Sequence, residues 1–313
     1  MILSRAHGIR ACMAVIACPL LMAALVLGLA LGAPSASSAF EPLTGIDLEV
    51  SKVLSDNLQT AGSTSRLKIQ QPSLVSKFYT RMGFRPAWTK GAKALPEALE
   101  LRDALSESFA DGLNPDYYNL IDIDVGLRNL EEAFENGGTL TPERIAWIEI
   151  LMSDAYFAYA SDLIAGRVKP QIVVEDARLE AIKMELSGFL MRMLRVGWVK
   201  DSLESLSPMN PEYQRMKNGL AVYREALSRG GWKAITTQMK YGDSGVGVVA
   251  LRGRLKATRD LMPSVETVDE KRFDSAIQKA VTRFQRRHSL DADGMVGPIT
   301  LETLNVPVEE RIM

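Results

Sequence analysis

The chain has 313 residues and carries 37 Lys and Arg residues against 38 Asp and Glu residues, for a formal net charge of −1 at pH 7. This balance provides no basic excess, which argues against nucleic acid as a partner. The length allows two domains that each bury a hydrophobic core. The two cysteines, Cys12 and Cys18, both lie in the first 39 residues.

Residues 1–39 have the pattern of an export signal. Arg5 and Arg10 precede an uncharged apolar run over residues 11–31, and small residues follow at 37–39. Because the apolar run is long enough to span a bilayer, an uncleaved N-terminal anchor is the alternative to a cleaved signal. In both cases we expect the protein in the periplasm, with membrane contact only through this segment. If the signal is cleaved, the mature chain holds no cysteine and no thiol nucleophile.

The next segment, residues 40–75, contains a patch rich in Ser, Thr, Gly and Gln at positions 59–65. This composition predicts a loosely ordered lead-in. An amphipathic segment from Ile46 to Leu58 interrupts it.

Residues 76–236 are strongly helical by their apolar spacing and by their start and stop signals. Pro96 is expected to begin a helix that Gly112 ends. Its predicted apolar face consists of Ala98, Leu101, Leu105 and Phe109. The longest helix is expected to start with Thr141 as its cap and Pro142 in its first turn, and to run to Ala165.

Two more helices are predicted in the same region. One spans about Leu179 to Val199, and the other follows an Asn210 cap and Pro211. The second has an apolar stripe at steps of three and four, formed by Tyr213, Met216, Leu220, Tyr223 and Leu227. Few strand patterns occur anywhere in the chain, so we predict an all-α, or mainly α, fold.

Residues 240–305 are predicted to form a small three-helix module. Its first helix carries Val248, Leu251 and Leu255, and a second helix, a tight polar turn and a short third helix follow. Phe273, Ile277, Val281 and Phe284 share one helix face. The sequence Asp-Ala-Asp-Gly at 291–294 then predicts a turn, and Pro298 fits the first turn of the following helix.

This order of elements resembles the peptidoglycan-binding module found on many bacterial cell-wall enzymes. The resemblance implies a shallow groove near the turn that holds a glycan strand or a stem peptide of peptidoglycan. It implies backbone contacts at Gly294 and Gly297 and side-chain contacts from Asp293 and Thr300.

Three phrases upstream carry a second resemblance. They are Ala-Asp-Gly-Leu-Asn-Pro-Asp-Tyr at 110–117, the run from Tyr156 to Val168, and Gly-Gly-Trp at 230–232. In this order, and followed by the module, they resemble the helical scaffold of periplasmic L,D-transpeptidases. Those enzymes crosslink peptidoglycan stem peptides through a cysteine thiolate. The closing residues 306–313 resemble the connector to the catalytic domain of that family.

The catalytic Ser-His-Gly-Cys motif of that family does not occur in these 313 residues. The histidine that follows the signal, His288, lies in the module-like part. We therefore predict no catalytic residue, no metal site and no cofactor for this chain, and a role in binding and scaffolding. Whether the whole protein is an enzyme stays open at this point.

Two alternatives remain. A lytic enzyme of the muramidase or transglycosylase type needs an acidic Glu in an apolar pocket. Glu149, Asp154 and Asp162 lie along the longest predicted helix, where a solvated helix face is the expected setting. The other alternative is a non-catalytic periplasmic protein that contacts cell-wall synthesis proteins.

Overall fold

The computed structural model describes residues 42–59, 69–138, 140–167, 177–262 and 269–312. The predicted export signal at 1–39 lies outside these ranges. Across the described ranges, no helix has both the length and the apolar character needed to cross a membrane.

The described chain is built from helices, as predicted, with one small antiparallel sheet. A helical domain comes first, and its elements in chain order are α1 (Gly45–Gln59), α2 (Pro72–Arg81), β1 (Thr89–Lys90), β2 (Lys93–Ala94), α3 (Pro96–Glu107), α4 (Leu120–Glu135), α5 (Pro142–Ala165), α6 (Ala177–Val196), α7 (Val199–Leu206) and α8 (Pro211–Ser228). A terminal module follows, with α9 (Val246–Ala257), α10 (Ser275–Arg287) and α11 (Pro298–Asn305), and α12 (Val308–Ile312) closes the described chain.

Helix α5 is the central element of the helical domain. It begins as predicted, because the Thr141 hydroxyl accepts a hydrogen bond from the Arg144 backbone N–H and Pro142 occupies the first position. Helices α1, α2, α4 and α7 all pack against it. Its 24 residues are buried on nearly every side, and Gly166 ends it at a positive φ of 72°. The other helices of the domain therefore take their positions from α5.

Within the lead-in predicted for residues 40–75, residues 45–59 are ordered as a helix. This stretch forms α1, and Val50 and Leu54 are fully buried in the same core as α5. The amphipathic segment predicted from Ile46 to Leu58 is confirmed. Its apolar stripe packs on α5, and this packing orders the segment although the polar patch at 59–65 lies next to it.

Helix α3 is confirmed, but it is shorter than predicted. It ends at Glu107, and a 3-10 turn over Ser108–Asp111 follows before Gly112 takes a left-handed φ of 79°. The change of helix type rotates Phe109 out of the buried face, so its side chain is 48 % exposed. The ring lies beside the guanidinium of Arg224.

The helix predicted from Leu179 to Val199 is two helices in the structure. Helix α6 ends at Val196, Gly197 has a φ of 71°, and α7 starts at Val199. A glycine at positive φ stops the first helix and lets the chain turn.

Helix α8 has the predicted start, because the Asn210 side chain accepts a hydrogen bond of 2.7 Å from the Tyr213 N–H. Its regular apolar stripe, however, is not a buried face. Met216 is 76 % exposed and Leu227 is 38 % exposed, whereas Ala226 is buried. The helix is held largely by polar contacts, including those of Tyr213 and Lys217 with Asp111.

The terminal module has its own core, formed by residues from Ile235 to Leu304. A backbone pair between Met239 and Val296 ties its first strand-like segment to the residues that follow the Asp-Gly turn. Helix α12, in the predicted connector at 306–313, packs against α8 of the helical domain. Val308 is the buried residue of this contact.

Candidate functional site

One buried side chain organises the Asp-Gly turn of the module. Gln285 on α10 is 1 % exposed. Its Nε2 donates to Asp293 Oδ1 at 2.8 Å, to the Met295 carbonyl at 2.9 Å and to Thr300 Oγ1 at 3.1 Å. Its Oε1 accepts from the Gly294 backbone N–H at 2.9 Å. Since an amide uses its two N–H groups and its oxygen here, Gln285 fixes the turn and the start of α11 together.

Only glycine fits at position 294. Its φ is +75°, which L side chains rarely adopt. A Cβ atom there would lie 2.8 Å from Gln278 Cγ and 2.9 Å from Thr282 Oγ1, both on α10. The turn therefore lies directly against the helix that carries Gln285.

The structure brings the four predicted contact residues together but gives most of them an internal role. Thr300 is 6 % exposed, and Gly294 is buried and bonded to Gln285. Asp293 is exposed, yet its Oδ1 also accepts the Met295 N–H at 2.8 Å. Gly297 differs, because no described atom lies within 4 Å of the position of its Cβ. Their assignment as ligand contacts stays a prediction.

The module also carries exposed apolar side chains, which were not singled out in the sequence. We call them the apolar rim: Tyr241, Val246, Met295 and Ile299, which are 58 %, 80 %, 44 % and 68 % exposed. Met295 belongs to the turn segment, and Ile299 follows it on α11. The backbone pair between Met239 and Val296 places the segment that carries Tyr241 beside the one that carries Met295. Exposed apolar groups near an open glycine form a surface suited to a ligand with its own apolar faces.

A cationic side chain joins the module to the helical domain. Arg254 of α9 is 1 % exposed, and its guanidinium carbon lies 3.5 Å from the centre of the Trp232 ring. Its Nε donates to the Leu304 carbonyl at 2.9 Å. Burial lowers the pKa of Arg254 to about 10, so it stays charged at neutral pH. Trp232 Nε1 donates in turn to the Val306 carbonyl at 3.2 Å.

His288 is a packed side chain at the end of α10. Its ring centre lies 4.3 Å from that of Phe284. Burial, together with the charges of Arg287 and Arg311, lowers the pKa of His288 to about 4. The histidine is therefore neutral at pH 7, and it contributes to packing.

The acidic residues of α5 do not form the expected solvated face. Glu149 is 0 % exposed, and burial raises its pKa. Its carboxylate accepts from Tyr79 Oη at 2.8 Å and Thr89 Oγ1 at 2.7 Å. It also accepts from the backbone N–H groups of Ala87 and Trp88, at 2.7 and 3.0 Å. A carboxylate enclosed in this way cannot reach a glycan, so Glu149 is a structural residue.

The other two acids on α5 also have structural partners. Asp154 is 0 % exposed and accepts the backbone N–H groups of Gln70 and Gln71 just before α2. Burial raises the pKa of Asp154. Asp162 accepts the Tyr118 hydroxyl at 2.8 Å. The α5 carboxylates thus hold loops and helix ends onto the spine.

Comparison with family models finds two matches. Residues 73–220 match a model described as a scaffold domain, and residues 244–304 match one described as a peptidoglycan binding domain. The two models match in the order expected for the scaffold and peptidoglycan-binding domains that the sequence resembles. No curated protein matches the chain. The two matched ranges fall on the helical domain and the terminal module, so α5 is the spine of the scaffold and Gln285 organises the wall-binding module.

Proposed function

We propose that the chain is the wall-binding and scaffold portion of an L,D-transpeptidase-like protein that crosslinks the cell wall. The observation that carries this is the order of the two matched domains, with the module packed onto the scaffold. The module holds a glycan strand or stem peptide of peptidoglycan. A thiol-bearing catalytic domain then meets the wall at high effective concentration, since the wall is already held by the same protein.

The wall-binding surface is the apolar rim together with the open space beside Gly297. This assignment rests on exposure. The rim residues are accessible, whereas Thr300 and Gly294 are occupied by the bonds that shape the turn. Apolar side chains with a few polar groups nearby are the usual lining of a sugar or peptide site. The turn residues position this surface.

The test is co-sedimentation of residues 40–313 with purified peptidoglycan sacculi. Ile299→Asp places a charge in the apolar rim, and we expect it to weaken pelleting by about tenfold. Ile121→Asp on α4 is the matched control, because Ile121 is 65 % exposed against 68 % for Ile299. Equal pelleting of the two variants would place the binding surface elsewhere. Absence of wild-type pelleting would remove the proposed function.

Export to the periplasm is part of the proposal. It is supported by the signal pattern at 1–39 and by the location of peptidoglycan outside the cytoplasmic membrane. N-terminal sequencing of the protein from a periplasmic fraction is expected to start near Phe40. Recovery only in the membrane fraction, with Met1 intact, would support the anchor at 11–31 instead.

The catalytic domain belongs to the same proposal. Its support is the resemblance of residues 306–313 to the connector that precedes the catalytic domain in L,D-transpeptidases. The measurement is the intact mass of the native protein. A mass well above that of residues 40–313 supports a catalytic domain on the same chain. A matching mass, with no partner recovered among cell-wall synthesis proteins, would contradict a role in crosslinking.

A further inference from the structure

A cavity of about 260 Å³ lies within the scaffold, where α3, α5, α7 and α8 meet the 3-10 turn that follows α3. Ala104 and Leu203 supply apolar walls, and two lysines and three carboxylates lie among the polar groups of the lining. We call it the scaffold cavity. It belongs to neither the Asp-Gly turn nor the apolar rim.

One side of the scaffold cavity is built around Asp111. Its side chain is 7 % exposed and accepts from Tyr213 Oη at 2.6 Å and Tyr159 Oη at 3.2 Å. Lys217 Nζ donates to the same carboxylate at 2.6 Å. Burial and the neighbouring Asp111 raise the pKa of Tyr159, so its hydroxyl stays a donor. The carboxylate thus accepts three hydrogen bonds, and it fixes Lys217 at the cavity wall.

The opposite side carries a second ion pair. Lys200 Nζ donates to Glu107 Oε1 at 2.7 Å. The backbone N–H of Val199 donates to Glu100 and sets the start of α7, from which Lys200 projects. An ammonium has three N–H donors. The described contacts of Lys200 and Lys217 use one donor each, which leaves donors for a ligand.

The charges of the scaffold cavity favour one kind of ligand. Lys200 and Lys217 face Glu107, Asp111 and Glu204, for a sum of −1. The carboxylates repel a ligand that carries only negative charge, and the two ammonium groups repel a ligand that carries only positive charge. A ligand that carries both charges close together satisfies both sets. The volume admits an amino-acid head group, and it lies below that of sites for larger ligands.

We propose that the scaffold cavity binds the zwitterionic end of a peptidoglycan stem peptide, where one carbon carries both an ammonium and a carboxylate group. The ligand carboxylate accepts from Lys217 and Lys200, and its ammonium donates to Glu204 and Glu107. The choice of a wall peptide rests on the proposed function. The recognition of a zwitterion rests on the cavity alone.

The first experiment is a calorimetric titration of residues 40–313 with the tripeptide L-Ala-γ-D-Glu-meso-diaminopimelate. Two half-ligands are titrated beside it: pimelate, which has the carboxylates without the amines, and 1,5-diaminopentane, which has the amines without the carboxylates. We expect the tripeptide to bind at least tenfold more tightly than either half-ligand. Equal binding of all three, or no binding of the tripeptide, overturns the proposal.

Variants locate the site. Lys217→Met is expected to weaken tripeptide binding about tenfold, since a hydrogen bond to a charged group is lost. Arg215→Met is the control on the same helix, where the Arg215 side chain is 68 % exposed and pairs with Glu212. Because Lys217 also stabilises Asp111, the exposed Glu204→Gln supplies a second variant that leaves both ion pairs intact. Wild-type affinity in both cavity variants overturns the proposal.

Sacculus pelleting separates the two proposals. Suppose that the wild type fails to pellet with sacculi but binds the tripeptide, and that the cavity variants lose tripeptide binding. This result supports the scaffold cavity and removes the proposed wall anchoring. Normal pelleting that depends on Ile299, with no tripeptide binding, overturns the scaffold cavity and leaves the proposed function standing.

Discussion

The scaffold and the wall-binding module each use one buried polar side chain to hold a loop against a helix. In the scaffold, Glu149 on α5 binds the loop at 87–89, which lies 60 to 62 residues away along the chain. In the module, Gln285 on α10 binds the turn and helix start at 293–300, which lie 8 to 15 residues away. We call these two side chains, Glu149 and Gln285, the hubs. The Glu149 carboxylate only accepts hydrogen bonds, whereas the Gln285 amide both accepts and donates them.

The hydrogen bonds of Glu149 and Gln285 therefore connect the structure over different distances. Glu149 also accepts from Tyr79 on α2, so its bonds join elements across the scaffold core. The bonds of Gln285 close a single turn next to its own helix. Loss of the first should therefore weaken the whole scaffold, and loss of the second should free the Asp-Gly turn while the module core persists.

The largest expected effect comes from Glu149→Ala. The change leaves the backbone N–H groups of Ala87 and Trp88 and the hydroxyl of Tyr79 without their acceptor at a buried site. We expect the free energy of unfolding to fall by about 3 kcal/mol. Glu143→Ala, at an exposed position on the same helix, is the control. Equal chemical-denaturation midpoints for the two variants would show that Glu149 is not a hub.

Gln285→Ala should have the next largest effect, about 2 kcal/mol, because four hydrogen bonds are lost at a buried site. Hydrogen exchange is expected to rise at residues 293–300 and to stay unchanged in the core of α10. Gln238→Ala, at an exposed position in the module, controls for loss of an amide. Uniform exchange over the whole module would contradict a local role for Gln285.

Trp232→Ala tests the contact between the two regions. It removes the ring beside the Arg254 guanidinium and the bond to the Val306 carbonyl, with an expected loss of about 1–2 kcal/mol. Scanning calorimetry should then resolve separate transitions for scaffold and module. Trp198→Ala is the matched control, since that side chain is 61 % exposed. A single transition in both variants would mean that the two regions unfold together without this contact.

The smallest effects concern pH, and they have opposite signs in the two regions. Burial raises the native pKa of Glu149 above its ordinary 4.5, so its contribution to stability is complete below 4.5 and is lost as pH rises through the native pKa. Burial lowers the pKa of His288 from 6.5 to about 4, so its contribution is present above 6.5 and is lost as pH falls toward 4.

Two variants distinguish these two effects when the free energy of unfolding is measured by denaturation at several pH values between 4 and 7. Glu149→Gln should remove the decline on raising the pH, and His288→Gln should remove the decline on lowering it. If neither variant changes the pH dependence of the unfolding free energy, the two buried groups do not titrate as described.

The sequence predicted most helices because caps and prolines act within a few residues. Thr141, Asn210 and Gly166 mark helix ends that the structure places at the same positions. The Asp-Gly turn was found for the same reason. The burial of Glu149 and the tie between Trp232 and Arg254 were missed, because their partners lie far away along the chain. Helix spacing predicted α8 correctly, but spacing alone does not show that its regular apolar stripe is partly exposed.

Sacculus pelleting of Gln285→Ala and Glu149→Gln distinguishes wall binding by the module from wall binding by the scaffold, at a temperature where circular dichroism shows both variants to be folded. If wall binding resides in the module turn that Gln285 positions, Gln285→Ala loses pelleting and Glu149→Gln pellets like the wild type. Loss of pelleting in Glu149→Gln together with normal pelleting in Gln285→Ala would place wall binding in the scaffold and contradict the account.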